Sequence, residues 1–221
     1  MPLAPLVLFY GEDSNDTHAL INLSRALLPK GVEFDAMPVR RPSILRRDAN
    51  PGKRRRMAEE IAGLAISFAS RRTQVTVVAH RDCDETDEDH ENHANELEED
   101  LQKCGVPNAI AATPAWEIET WWMLFPNELS KTRPCWAKVS YRNRDVGQIA
   151  NSKDTLRRDL RPKERGNKCP DFVESDGIKL SRLILQDRAA DQVNSLRSKS
   201  LQRFRLKLRE YFNVVEDDES G

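Results

Sequence analysis

Short apolar segments alternate with helix-length amphipathic segments over the first 125 residues, and this alternation constrains the fold more than any other feature. The apolar segments predict β-strands, and the segments between them predict helices. Because a whole helix separates each strand from the next, right-handed crossovers and a mainly parallel sheet are expected. The predicted strands are residues 5–11, 32–39, 74–80 and 108–116, and the predicted helices are 16–29, 54–72 and 89–105.

The rest of the chain is organised differently. After residue 126 the sequence loses clear periodicity, until two amphipathic segments at 178–193 and 196–213 predict helices. The sequence therefore predicts an α/β domain followed by a basic helical extension and an acidic, disordered tail. The predicted divisions are residues 1–126, 127–213 and 214–221.

Composition excludes several classes of protein. No apolar run approaches the ~18 residues that a membrane helix needs, and the N-terminus lacks the features of a secretory signal. The four cysteines lie far apart without a CxxC pair, which argues against a zinc ribbon and against a redox motif. We therefore expect reduced thiols and a cytoplasmic location. No nucleotide-binding glycine motif is present, so the chain is not expected to hydrolyse ATP.

Charge is distributed very unevenly along the chain, although the formal net charge is only -1. Residues 82–100 contain eleven acidic residues and no Lys or Arg, which is typical of a solvated helix. Residues 131–209 contain twenty-one basic residues against nine acidic ones. A chain divided in this way can offer both a cation site and a phosphate-binding surface.

Acidic residues follow two of the predicted strands at the point where each strand ends. Glu12 follows the first strand, and Asp82 and Asp84 follow the third. The carboxyl ends of parallel strands meet at one edge of a sheet, where ligands gather, so these side chains are expected to lie close together. If the chain is extended there, Asp82 and Asp84 point the same way. Oxygen ligands suit Mg²⁺ or Mn²⁺. The alternative is a solvated acidic loop without bound metal.

Two motifs resemble those of Toprim domains. "LVLFYGEDSNDTHAL" places Gly-Glu directly after a first strand, and "VTVVAHRDCDE" places Asp-x-Asp after a central strand. Further along, "PAWEIETWWMLF" and "ESDGIKLSRLI" are similar to segments of small stand-alone bacterial Toprim-like proteins related to OLD nucleases. The resemblance implies a Toprim-like, Rossmann-like sheet flanked by helices, with metal-dependent phosphodiester chemistry.

The resemblance also implies roles for individual residues. Glu12, Asp82, Asp84 and Glu119 would be catalytic, and Glu12, Asp82 and Asp84 would bind Mg²⁺ or Mn²⁺ with help from Glu85. Asp16, which is also placed to cap the first helix, would be a further helper. The expected function is that of a nuclease, in bacterial defence with a partner ATPase.

The basic residues provide candidate contacts to a nucleic-acid backbone. We expect DNA in preference to RNA as the partner, and we considered a homodimer; no membrane contact is expected. The candidate residues are Arg40, Arg41, Arg54, Arg55, Arg56 and Lys179, the last of which rests on the resemblance.

Two other functions stay open at the level of sequence. The first is a catalytically inactive Toprim-derived module that binds nucleic acid or protein. The second is a receiver-like phosphotransfer domain with Asp82 as nucleophile. A nuclease would show metal-dependent cleavage, and the inactive module would not. Transfer of a phosphoryl group from small phosphodonors to the protein would identify the second.

Overall fold

The computed structural model describes residues 3–39, 50–72, 74–162, 169–193 and 197–214. It contains four strands: β1 (Leu6–Tyr10), β2 (Asp35–Pro38), β3 (Val75–His80) and β4 (Ala109–Ala112). Three long helices connect them: α1 (Ser14–Leu27), α2 (Pro51–Ala69) and α3 (His90–Lys103). Five more helices follow: α4 (Glu119–Trp122), α5 (Pro126–Thr132), α6 (Ser152–Leu160), α7 (Glu174–Gln186) and α8 (Lys199–Tyr211).

The strands form one sheet in the order β2-β1-β3-β4, and every pair is parallel. The prediction of an α/β fold with a mainly parallel sheet is thus confirmed. All residues of β1, β3 and β4 are buried, because helices cover both faces. This explains why these strands appear in the sequence as continuous apolar runs instead of alternating ones.

Alternate strand residues belong to two hydrophobic clusters, one on each face of the sheet. Leu6 and Leu8 belong to the cluster that α2 and α3 cover. Val7 and Phe9 belong to the cluster that contains α1 and side chains of α4 to α8. This second cluster therefore spans both parts of the chain that the sequence predicted as separate units. Within the described residues, no helix is both long enough and apolar enough to cross a bilayer.

The first helix begins at Ser14, before Asp16, the residue predicted to cap it. Asp13, and not Asp16, is the N-cap of α1: its carboxylate accepts hydrogen bonds from the backbone N–H groups of Asn15 at 2.6 Å and Asp16 at 2.8 Å. The expectation for Asp16 was therefore wrong by one helical turn. An acidic side chain two or three residues before the free N–H groups fits a cap best, and this leaves the carboxylate of Asp16 for another role.

The charge of α3 suggested a solvated helix, but part of this helix is buried. His90, His93 and Glu98 are buried in its inner face. The carboxylate of Glu98 accepts hydrogen bonds from Arg203 of α8 at 2.8 and 3.0 Å. Much of the acidic run therefore neutralises basic side chains of neighbouring helices, and only part of it faces water.

The cysteines also differ from expectation. Cys135 and Cys169 form a disulfide, whereas Cys83 and Cys104 are free thiols. Spacing along the sequence could not reveal this pair, because 34 positions separate its two members and the fold alone brings them together. The expectation of four reduced thiols is therefore wrong for this pair.

Candidate functional site

Glu12 and Asp82 meet at the carboxyl edge of the two central strands, as parallel topology requires. Oε1 of Glu12 accepts a hydrogen bond from the backbone N–H of Asp82 at 3.2 Å, across 70 positions of sequence. Gly11 allows this turn, because a Cβ there would lie 2.5 Å from Oγ1 of Thr17 and 2.7 Å from its nitrogen. The Gly-Glu pair after β1 is thus explained by close packing of the first turn of α1 against the strand end.

Asp82 is fixed from two sides. Its Oδ1 accepts a hydrogen bond from the backbone N–H of Ile118 at 3.1 Å, just before α4. The same oxygen lies 3.2 Å from Nε2 of His80, whose side chain is fully buried. A carboxylate held in this way presents its second oxygen in one direction, as a ligand-binding position requires.

Glu119 lies in the first turn of α4 and is almost fully buried. Nζ of Lys153 lies 4.0 Å from its Oε1. Burial is the main cause that raises the pKa of Glu119 to about 8; Lys153 opposes this increase, and Asp82 and Glu117 add to it. Glu119 is therefore protonated in much of the population at neutral pH.

Asp16 belongs to the same group of carboxyls. Burial raises its pKa to about 7; His80 opposes the shift, while Asp13, Asp82 and Glu174 reinforce it. Several carboxyl groups thus raise one another's pKa within a small region. We call this group the acidic cluster; its acids are Glu12, Asp16, Asp82, Glu117, Glu119 and Glu174, and its cations are His80 and Lys153.

Lys153 connects the later helices to the acidic cluster. It lies in the first turn of α6, and its Nζ lies 2.6 Å from a carboxylate oxygen of Glu174, the first residue of α7. Glu117 accepts a hydrogen bond from the backbone N–H of Lys153 at 3.0 Å, which holds the N-terminus of α6 beside the cluster. The neighbouring carboxylates more than offset the effect of burial, so the pKa of Lys153 is raised and the side chain is a permanent cation.

Asp84 and Glu85 lie differently from their predicted arrangement. Asp84 has a left-handed backbone with φ of 54°, so the extended alternation that would align it with Asp82 does not continue this far. Its side chain is exposed, and its backbone N–H donates to the carbonyl of Trp116 at 3.0 Å. Oε2 of Glu85 lies 3.1 Å from Nε2 of His93 on α3. Glu85 thus faces α3.

The donor types of the acidic cluster suit a hard divalent cation, since they are carboxylate oxygens. Within the described part of the chain, however, no three His, Cys, Asp or Glu side chains are grouped closely enough to hold a metal ion. The acidic cluster therefore has the oxygen ligands that Mg²⁺ or Mn²⁺ prefers, but within the described residues it does not bring three of them together around one position.

The predicted nucleic-acid contacts fall into three groups. Arg40 and Arg41 lie outside the described residues. On α2, Arg54 pairs with Glu96 at 2.8 Å, Arg55 pairs with Glu59 at 2.9 Å, and Arg56 donates to the carbonyl of Gly52 at 3.3 Å. The ammonium group of Lys179 donates to the carbonyl of Thr132 at the end of α5, at 2.6 Å. The described members of the set therefore already have partners within the fold.

Sequence reasoning missed three members of the acidic cluster. Lys153 and Glu174 lie far from the strand-end motifs in sequence, and only the packing of α6 and α7 brings them to the cluster. Glu117 follows the predicted fourth strand and lies two residues before Glu119, a signal that could have found it. His80 was not assigned to the site either; its position as the last residue of β3, two before Asp82, was the one available signal. Comparison of the chain with known protein families, curated proteins and solved structures found no match.

Proposed function

We propose that this protein is a metal-dependent nuclease that hydrolyses phosphodiester bonds at the acidic cluster. The observation that carries the proposal is the hydrogen bond between Glu12 and Asp82, which joins the ends of two parallel strands at the edge where α/β proteins bind ligands. Glu119 faces the same group of carboxylates from α4. The Toprim resemblance supports the same residues independently of this geometry.

The proposed cofactor is Mg²⁺ or Mn²⁺, with Glu12 and Asp82 as its ligands; in support, both residues are anchored by backbone hydrogen bonds. Such an ion supplies charge against the scissile phosphate and activates a bound water. The mutual repulsion of Asp16, Asp82, Glu117 and Glu119, which adds to burial in raising the pKa of Asp16 and of Glu119, also supports a cation site, since a positive charge would relieve it.

Glu119 and Lys153 have complementary proposed roles. Glu119, with a pKa of about 8, holds a proton that it could donate to the leaving oxygen at neutral pH. Lys153 stays charged and lies beside it, where an ammonium group stabilises the negative charge that develops on the phosphate. Asp84 is exposed next to the cluster and completes the proposed set.

The setting of the activity is a further proposal. DNA as the preferred substrate and a role in defence together with a partner ATPase rest on the resemblance. A cytoplasmic location rests on the sequence features given above, and the Cys135–Cys169 disulfide removes one of them, the expectation of reduced thiols. A homodimer is a further proposal.

A cleavage assay tests the proposal. Supercoiled DNA, single-stranded DNA and RNA would be incubated with the protein in Mg²⁺, in Mn²⁺ and in EDTA. The variants are Asp82→Asn and Glu12→Gln, which keep side-chain size and remove charge. Asp100→Asn on α3, an acid outside the acidic cluster, is the matched control. Binding of Mn²⁺, followed by calorimetry, gives a readout independent of turnover.

Each outcome decides between functions. Metal-dependent cleavage that both cluster variants lose and the control retains supports the nuclease and its site together. Cleavage that survives in both variants contradicts the site. Salt-sensitive binding without cleavage supports the binding module, and stable phosphoryl transfer to Asp82 from acetyl phosphate supports the phosphotransfer domain.

A further inference from the structure

Two adjoining grooves on the surface of α6 carry more cationic than acidic side chains, five against three, among their lining residues. The first encloses about 440 Å³ between α6 and the segment before it, and the second encloses about 500 Å³ between α6 and the segment before α7. Arg158 and Arg161 line both, so the two adjoin at these side chains, and we call them together the arginine groove. Its charged lining residues are Lys138, Arg144, Asp154, Arg157, Arg158, Asp159, Arg161 and Asp171.

The walls of the arginine groove are held in place by contacts below the surface. The hydroxyl of Tyr141 donates to Oδ2 of Asp159 at 3.0 Å. The backbone N–H of Ala137 donates to the carbonyl of Leu160 at 2.8 Å. The indole N–H of Trp136 donates to the carbonyl of Pro170 at 2.8 Å, next to the Cys135–Cys169 disulfide. The groove is therefore a formed feature of the fold.

The cations of the arginine groove remain available to an anion. Lys138 and Arg144 are exposed, and neither forms an ion pair with an acid in the part of the chain that the structure describes. Arg158 pairs with Asp159, and Arg161 pairs with Asp171. In these two pairs the arginine side chains are 69% and 62% exposed. The Arg161–Asp171 pair is bidentate, with both contacts at 3.0 Å, and a phosphate offers a guanidinium the same bidentate geometry, so it can compete with these carboxylates.

The arginine groove begins at the acidic cluster. Lys153 and Arg157 are four residues apart in α6, which places them on one side of the helix, and Arg161 directly follows the helix as its C-cap. With a rise of about 1.5 Å per residue, Arg157 lies about 6 Å along the helix from Lys153, and Arg161 lies beyond it. At the end nearest the cluster, Val173 lines the groove, and the next residue, Glu174, contacts Lys153.

We propose that the arginine groove binds the phosphate backbone of the nucleic acid on one side of the bond that the acidic cluster cleaves. The proposal rests on the proposed function for the identity of the polymer. A series of arginines matches a chain of phosphates, since the planar guanidinium binds phosphate oxygens in a bidentate manner. The five cations of the groove would contact phosphates and not base edges, so binding is expected to be independent of sequence.

The test is equilibrium binding of a fluorescent 20-nucleotide single strand and of the same sequence as a duplex, in EDTA, over a range of KCl concentrations. The first variant is Lys138→Gln/Arg144→Gln, whose side chains have no ion-pair partner among the described residues. The second variant is Arg158→Gln/Arg161→Gln. The matched control is Lys30→Gln/Arg71→Gln, which removes two exposed charges at the opposite edge of the sheet. Thermal melts confirm that each variant is folded.

We expect each groove variant to weaken binding about tenfold at moderate salt and the control to leave it unchanged. The slope of log K against log salt should fall by about 1.4 for a single strand or about 1.8 for a duplex. Equal weakening in all three variants would mean that only overall charge matters and would overturn the proposal. So would an absence of nucleic-acid binding by the native protein, or preferential binding to anionic lipid vesicles.

The same variants separate this proposal from the proposed nuclease function. Because binding is measured in EDTA, it is independent of cleavage. Groove-dependent binding by a protein that never cleaves would support the groove and contradict the nuclease. Metal-dependent cleavage with normal binding and normal KM in both groove variants would support the nuclease and overturn the groove.

Discussion

Nε2 of His80 lies 3.2 Å from Oδ1 of Asp82, with the imidazole fully buried beneath the carboxylates. Burial by itself lowers the pKa of His80, but Asp82, Asp16 and Glu12 more than offset this and raise it to about 9. The fold therefore places its own cation under the carboxylates at the end of β3. This explains how Asp82 can be held at a partly buried position before any ligand arrives.

Replacing His80 should destabilise the protein in a pH-dependent manner. Because its pKa is raised from 6.5 to about 9, the stabilisation is complete below pH 6.5 and is lost as the pH rises through 9. We expect His80→Gln to lower the free energy of unfolding by about 3 kcal/mol at pH 6, since it removes one partner of a buried pair. Urea titrations at pH 6 and pH 9.5 should show the difference shrinking; an equal loss at both pH values would contradict the charge on His80.

Glu119→Gln should stabilise the protein at high pH, whereas His80→Gln should destabilise it at low pH. The pKa of Glu119 is raised from 4.5 to about 8, so the folded state retains a proton that the unfolded state has released. The free energy of unfolding of the native protein therefore decreases between pH 4.5 and 8 on account of this group. Relative to the native protein, the glutamine variant should gain stability from pH 5 to pH 9, measured as Tm in EDTA. Glu99→Gln, an exposed substitution on α3, should show no such gain.

Lys153→Met should reduce cleavage without unfolding the protein. Lys153 is the cation nearest to Glu119, and removing one charge that stabilises a transition state lowers turnover by about 10²-fold. Lys153→Arg keeps the charge and should recover part of the rate. Steady-state kinetics with Mn²⁺ would separate kcat from KM, and a native rate in the methionine variant would remove Lys153 from the site.

Asp87 should be a major determinant of stability. It is fully buried, and its carboxylate accepts hydrogen bonds from the backbone N–H groups of Lys199 and, at 3.0 Å, of Ser200 at the start of α8. Asp87→Ala leaves two N–H groups unpaired and should lower the free energy of unfolding by about 2–4 kcal/mol. Glu88→Ala, one residue along and exposed, is the control, with a much smaller expected change. Similar values for both would contradict the capping role.

The disulfide makes a prediction that mass spectrometry can check directly. Alkylation of the denatured, unreduced protein should label Cys83 and Cys104 only. Reduction should lower the free energy of unfolding by about 2–4 kcal/mol, because the bond closes a long loop in the unfolded chain. The Cys135→Ser/Cys169→Ser variant should melt at the same temperature with and without reductant. Labelling of all four cysteines before reduction would show that the pair is not formed.

The sequence was sufficient for the sheet and for half of the site. β1, β3 and β4 are buried on both faces, so their apolar runs are unambiguous, and parallel topology brings Glu12 and Asp82 together whatever else the chain does. The orientation of Asp84 could not be predicted, since it depends on a left-handed residue inside a segment that looked extended.

The contributions of the later helices depend on packing that has no local signal. Lys153 lies in a stretch without clear periodicity, and only the placement of α6 against Glu117 brings it to the cluster. The pairing of Cys135 with Cys169 is of the same kind, because both depend on how the segment between α5 and α7 folds back. Such contacts join residues that are far apart in sequence and carry no recognisable motif. Only the packing of the whole core determines them.

The shared hydrophobic cluster across residue 126 has a consequence during synthesis. The acidic cluster takes residues from position 12 to position 174, so a ribosome must translate and release most of the chain before all of them exist together. Translation at about 5–20 residues per second makes this a delay of several seconds or more. The nascent α/β segment therefore emerges without Lys153 and Glu174, and the complete site assembles only when the late helices join the core.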